Sequence, residues 1–441
     1  MNEKIYMLNF KTSGVKNLEE EICLEFYNKT IENSFNPEKY RIKAIYGENG
    51  SGKTAIVVAV DIMKNLIIDS NYLGDSKNQR FLQAIANKVK NEIYLSCDYL
   101  YINDDVRRIY TYEIILGLNE IGFFEITKEL LTLKINSTRA KSLTIFECFQ
   151  GEIQQIGMVN DDIKERISRF TQNLLSRQSF AIGCLLNSKE IFGEELHHPF
   201  RMVLFDLFFF AARLFVFVPN EADPELYLQK KALLELEDKD KFMDSVFGIV
   251  SSIGRYSNEN ERTVSKTKYN DYEQKIKKME CFIQLFKGNL SSIDVEKTEV
   301  GENYICKLLM NYGDYKIDTA IESTGIARLI RLYDYLNAAA EGDIAFIDEM
   351  DANINDVYLC KIVEYFMEYG KGQLCFTTHN TSPMSVLKKN KKSIDFLSID
   401  YRIVSWKTNG NFAPDKLYKQ GLIEYLPFNT EPEDFVGILG E

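Results

Sequence analysis

At 441 residues, with 45% hydrophobic and 27% charged residues, the chain has the composition of a folded protein with a sizeable core and room for two closely joined lobes. The 29 Phe and 25 Tyr against only 8 Pro exclude a largely disordered chain. A formal net charge of −12 argues against a protein that coats nucleic acid non-specifically, although a local basic groove stays compatible with it.

Tyr6 to Phe10 and Ile22 to Phe26 read as short strands, and Ile42 to Tyr46 (IKAIY) as a buried one. The segment Gly47 to Thr54 (GENGSGKT) follows directly, and Ala55 to Ile68 then runs as an apolar helix. From Glu92 to Leu133 three alternating runs, broken at Asn103–Asp105 and Asn119–Gly122, predict an antiparallel meander. From about Asp161 to Gly288 the apolar spacing turns helical, and no heptad repeat extends it into a coiled-coil arm. Within it, Met202 to Val218 is the most apolar stretch; with Asp206 and Arg213 inside, it predicts a buried helix or helix–strand pair rather than a membrane span. Ser257 to Lys268 reads as a polar loop. Ile305 to Tyr315 is hairpin-like, and α/β character then resumes: a helix over Thr324–Ala340, a strand over Ile344–Ile347, a helix over Val357–Tyr369, and strands over Leu374–Thr377, Phe396–Ile399 and Arg402–Trp406.

The expected organisation is an N-terminal lobe over 1–160, a helical insertion over 161–295 and a C-terminal lobe over 296–441. No signal peptide is legible at Met1 to Lys11, and the eight cysteines show no CxxC spacing. Free thiols in a cytoplasmic protein, away from any membrane, are expected.

Strand–GxxxxGK[ST]–helix is the context a phosphate-binding P-loop requires, and chance supplies the pattern in only ~1–2% of chains this long. Gly47, Glu48, Asn49, Gly50, Ser51 and Gly52 would curl main-chain N–H groups around a β-phosphate at the positive end of the helix. Lys53 would reach the β/γ oxygens, and the Thr54 hydroxyl would coordinate Mg²⁺. Such a site needs an acidic Mg²⁺ anchor at a neighbouring strand end. In Asp343 to Asp351 (DIAFIDEMD) the apolar run delivers Asp348 for the metal and Glu349 as general base for an attacking water. The next buried strand ends in QLCFTTHN, where His379 can hydrogen-bond a γ-phosphate, while His197 and His198 adjoin Pro199 on an expected surface turn. Glu322 to Arg328 (ESTGIAR) opens a helix; Ser323 or Thr324 is a plain N-cap on residue type alone, or with Gly325 an anion site. Lys388 to Lys392 and Lys275, Lys277 and Lys278 are basic clusters, either solvated faces or contacts for DNA or RNA.

The order of these pieces resembles the ABC class of ATPases. Within that class the stretches YGENGSGKT, IYTYEI…KELL, ESTGIARL, FIDEMDANI and FTTHNTS look like the AAA-type ATP-binding proteins of bacterial abortive phage infection. Those are relatives of the OLD (overcoming lysogenization defect), SMC and RecF ATPases. The resemblance implies an α/β fold: a P-loop ATPase head of ABC/SMC type with an antiparallel β-subdomain and a helical insertion. It implies ATP and Mg²⁺ as cofactors, with Lys53, Glu349 and His379 catalytic, Thr54 and Asp348 on the metal, and a homo-oligomer whose heads are bridged by ATP. The partner head would cap the γ-phosphate with its own Ser323 and Gly325. About sixty residues follow His379, too few for the Toprim nuclease domain of OLD proteins. The resemblance therefore implies a separate effector, a nuclease or toxin, released by a nucleic-acid or phage-protein trigger. A RecF- or SMC-like ATPase of DNA maintenance is the alternative. Two positions depart from the relatives: Ile326 stands where many have a polar residue, and Asn355 where SMC-type proteins have Asp. For the Q-loop glutamine, Gln79 and Gln83 are the candidates.

Overall fold

The computed structural model describes residues 3–27, 30–31, 35–103, 106–172, 174, 176–193, 195, 197–219, 261–390, 392–406 and 413–423. In chain order the first elements are β1 (Lys4–Ser13), β2 (Ile22–Glu25), β3 (Ile42–Gly47), α1 (Lys53–Ile68) and α2 (Ser76–Ile85). The meander follows as β4 (Glu92–Asn103), β5 (Val106–Leu118), β6 (Phe124–Ile135), β7 (Leu143–Phe149) and β8 (Glu152–Ile156). Next come α3 (Asp161–Thr171), α4 (Phe180–Leu186), α5 (Ser188–Phe192), α6 (Pro199–Ala212) and β9 (Leu214–Phe217). After residue 260 the chain forms β10 (Glu261–Ser265), α7 (Tyr269–Gln284), β11 (Ser292–Val300), β12 (Asn303–Asn311), β13 (Lys316–Asp318) and α8 (Thr324–Glu341). It closes with β14 (Ile344–Ile347), α9 (Asp356–Glu368), β15 (Gln373–Thr377), α10 (Met384–Leu387), β16 (Ile394–Leu397), β17 (Ile403–Ser405) and α11 (Pro414–Lys419).

The central layer is a six-stranded sheet in the order β17-β16-β3-β15-β14-β9, parallel throughout except for the antiparallel edge pair β16–β17. Its inner strands are buried on both faces and mostly apolar, as suits a parallel sheet covered on both sides. Side-chain alternation divides each strand between two cores. Ile45, Val216, Phe346 and Cys375 face the core that α1, α6 and the large antiparallel sheet fill. Ala44, Tyr46, Phe217, Ile347 and Phe376 face the core filled by α7, α8 and α9. The fold is thus mixed α/β with separate antiparallel sheets.

The antiparallel subdomain is larger than its three-run meander: seven strands in the order β2-β1-β4-β5-β6-β7-β8. A third sheet, β10-β12-β11 with β13 also on β12, lies beside α7.

The stretch read as helical, 161–295, differs in two places. Met202 to Val218 is indeed a helix followed by a strand, and that strand, β9, is an edge of the central sheet rather than part of an insertion. Arg213 marks the break: as the C-cap of α6 it lets the chain turn into β9. Of the predicted polar loop, Glu261–Ser265 is a strand on β12 and Lys266–Lys268 a 3-10 turn; residues 257–260 lie outside the described residues. Only one apolar residue, Val264, marks the inner face of this short strand, too little for an alternation to be read. Among the described residues no helix is long and apolar enough to cross a membrane.

Candidate functional site

The site begins where β3 stops. All six residues of β3 are buried, Lys43 included, whose ammonium pairs with the buried carboxylate of Asp395 on β16. Beyond Gly47 the chain turns and enters α1, whose first residue is Lys53. Gly52, the N-cap, has φ +105°, and a Cβ added there would meet Leu18 Cδ2 at 2.7 Å. Only glycine takes this backbone without strain. The main-chain N–H groups of the first turn of α1 have no partner within the helix, a geometry suited to an anion.

Lys53 is buried, and its ammonium donates to the carbonyls of Gly47 and Glu48 at 2.8 Å each. An ammonium carries three N–H donors, so one remains for a phosphate oxygen. Burial, opposed by Asp348, Asp351 and Glu349, brings its pKa down to about 8.

The second wall is the paired ends of β14 and β15. Their parallel register sets Ile347 beside Phe376, so Asp348 and Thr377 emerge side by side. The Thr377 hydroxyl donates to Asp348 Oδ1 at 2.6 Å and accepts the N–H of Glu349 at 2.8 Å. Asp348 is almost wholly buried, while Glu349 is exposed with φ +49°. Asp351 Oδ2 accepts the main-chain N–H groups of His379 and Asn380 at 3.2 and 3.1 Å, tying the segment after β15 to the turn after β14. Partial desolvation and the Lys53 charge push the His379 imidazole below its ordinary range.

These walls enclose a cavity of about 450 Å³ lined by Asn49, Gly50, Gly52, Lys53, Thr54, Asp348, Glu349, Thr377 and His379, with Lys16 and Asn17 from the β1–β2 loop. The P-loop, the two acids and the histidine singled out by sequence thus meet around one cavity. Gly47, Glu48 and Ser51 form the loop behind this lining, the first two through the carbonyls that hold Lys53. Ser51 Oγ is buried without a hydrogen-bond partner. The donor chemistry suits Mg²⁺, which takes hard oxygen ligands: the Thr54 hydroxyl and the Asp348 carboxylate both line the cavity.

Ser323 and Gly325 are not among the lining residues. Ser323 is the N-cap of α8 without a side-chain capping bond, and Ser323 and Thr324 are exposed at that helix end. Asn355 caps α9 by accepting the N–H of Val357 at 2.9 Å.

Several residues took other roles. Gln79 is buried, donating to Leu73 O and Phe124 O and accepting from Phe124 N, and Gln83 bonds to Gly122 O; both brace α2 against the β5–β6 turn. His198 is buried and caps α6 instead of lying on a surface turn, while His197 is exposed. Lys275 pairs with the buried Asp334 at 2.7 Å, Lys277 with Glu280, and Lys392 with Glu25. Lys278, Lys388 and Lys389 are exposed, and Lys391 lies outside the described residues.

Thr377, Asp351, Lys16 and Asn17 went unread in the sequence. A threonine closing the strand beside the acidic one was a usable signal for Thr377. Lys16 and Asn17 carried none, since they reach the P-loop only through the fold, with Asn17 Nδ2 donating to the Gly50 carbonyl.

No protein-family model matches this chain, and no curated protein matches it. Among solved structures, one similar chain is that of an SMC head bound to the C-winged helix domain of ScpA. It is 12% identical, with 92% of this chain and 98% of that chain covered and a TM-score of 0.40.

Proposed function

We propose that this chain is an ABC-class ATPase that hydrolyses ATP to ADP and phosphate with Mg²⁺. In this reading it works as a homo-oligomer with ATP between its heads, in the cytoplasm, as the sensor and regulator of a bacterial anti-phage (abortive infection) system with a separate effector. The observation that carries the enzymatic part is the meeting of Lys53, Thr54, Asp348, Glu349 and His379 around one cavity. Their residue types match phosphate binding, metal binding and proton transfer.

The end of α1 and Lys53 bind the phosphates, and Thr54 with Asp348 would hold Mg²⁺. Bound there, the ion offsets charge on the phosphate oxygens. Glu349 accepts a proton from the attacking water as the water oxygen bonds to the γ-phosphorus. The bridging P–O bond breaks, and ADP leaves with its electron pair. His379 donates an N–H to the γ-phosphoryl oxygens. The exposed N-terminus of α8 offers Ser323 and Gly325 to the γ-phosphate held by a partner copy.

Purified protein should bind ATP and release phosphate, and Glu349→Gln should lower turnover about 10²- to 10⁴-fold while ATP still binds. No ATP binding, or full turnover in that variant, sinks the enzymatic reading. The defence reading is tested by phage challenge of cells carrying the chain with its neighbouring genes; unchanged plating over a varied phage panel counts against it. ATP-dependent DNA binding with a clear salt slope would favour the DNA-maintenance alternative.

A further inference from the structure

The Asp348–Glu349 edge is gripped from a side that neither strand supplies. Arg328 lies in the second turn of α8, and its Nη2 donates to the main-chain carbonyl of Asp348 at 3.0 Å and to that of Glu349. Its guanidinium carbon sits 4.8 Å from the ring centroid of Phe217, a cation–π arrangement. Phe217 is wholly buried at the end of β9, and its own carbonyl accepts the Asp348 N–H at 2.9 Å. One residue therefore anchors the acidic edge directly and also carries the platform on which the arginine rests.

Glu349 needs such a hold. With φ at +49° it occupies left-handed backbone, which costs a non-glycine residue of order 1 kcal/mol and persists only where neighbours over-determine it. Its N–H is taken by Thr377 and its carbonyl by Arg328, so both of its peptide groups are fixed. One turn earlier on α8, a Cβ added to Gly325 would stand 2.8 Å from the Asn353 carbonyl. At Gly325, α8 thus stands against the turn that follows Glu349 with no room for a side chain.

We propose that Arg328 is a positioning residue for the general base: by clamping the Asp348 and Glu349 carbonyls over Phe217, it sets where the Glu349 carboxylate stands relative to the attacking water. This rests on the ATPase reading above. Arg328 touches no substrate in this scheme and acts only through Glu349. A lysine cannot replace it fully: an ammonium can donate to two carbonyls, as Nη2 alone does here, but it lacks the planar guanidinium that lies over the Phe217 ring.

The test is a double-mutant cycle on the full chain with R328Q, R328K, E349Q and R328Q/E349Q, reading turnover, ATP affinity and thermal midpoint. R328Q should lower kcat about 100-fold, the scale of a roughly 1 Å misplacement, with ATP affinity within about twofold of the parent. R328K should recover only part of that loss, and R328Q should add nothing to E349Q. Undiminished turnover in R328Q overturns the inference. So does a loss that adds in full to that of E349Q, or one that appears in ATP affinity alone. If R328Q does not fold, Phe217→Leu removes the ring beneath the guanidinium, keeps the core apolar, and enters the same cycle with an expected loss of about 10-fold. A parent protein without turnover overturns the ATPase reading and this inference together, whereas turnover with additive losses removes this inference alone.

Discussion

The P-loop wall of the cavity takes its shape from main-chain geometry within eight consecutive residues, whereas the β14–β15 wall takes its shape from side chains contributed by distant segments. On the first wall, Lys53 is held by carbonyls five and six residues away, and Gly52 supplies the backbone angle that starts α1. On the second, the Thr377 hydroxyl, 29 residues from Asp348, orients the acid, and Asp351 collects the N–H groups after β15. Change on the first wall should therefore appear as lost ligand affinity or a strained backbone. Change on the second should appear as misdirected chemistry with the ligand still bound.

The strongest test of that contrast is Lys53→Ala, which should weaken ATP binding by about 100-fold or more, since a charge-assisted contact in a buried site is lost. Titration calorimetry reads it; near-parental affinity would remove the phosphate role from the first wall. Thr377→Val is the corresponding change on the second. It strips Asp348 of a donor and Glu349 of an acceptor at nearly constant volume, so about 1–3 kcal/mol of stability and about 10-fold in turnover should go while ATP affinity holds. If affinity falls instead, the two walls are not separable. Gly52→Ala should cost about 1–2 kcal/mol in denaturant melts through its positive φ and the clash with Leu18.

The smallest effect is a pH dependence. Burial disfavours the charged form of Lys53, so its ammonium loses its proton near pH 8 instead of near 10.5. The neutral amine cannot pair with a phosphate. ATP affinity should thus fall as pH rises from 7 to 9, by less than about 10-fold, with proton uptake on binding near pH 8. Lys53→Arg should flatten that slope. A slope unchanged in that variant would assign the titration to another group.

The same contrast explains what the sequence made legible. Eight contiguous residues between a buried strand and an apolar helix are a local pattern, and so is an apolar tetrapeptide ending in Asp-Glu. The clamps on those acids are not local: Arg328 reaches the Asp348 carbonyl across 20 residues through helix packing that periodicity does not encode. Strands were missed where they lacked a tell-tale face. β10 is one, a short polar edge strand, whereas β9, four apolar residues at the end of an apolar helix, was legible only as one of two alternatives for that stretch. β8 extends the meander with no buried residue, and β7 buries Ile145 and Phe146 as neighbours, which breaks the alternation a strand is read from.

The order of the central sheet bears on how the chain reaches this state. β3 lies between β15 and β16, and Met7 exchanges two main-chain hydrogen bonds with the Gln373 side chain 366 residues away. Both ladder partners of the P-loop strand are therefore made long after it on the ribosome. Until they arrive, β3 has no neighbour in the central sheet, and closing so long a loop is entropically slow. The cavity can then form only after both have been made, and a chain cut short before Gln373 would carry the P-loop motif without that cavity.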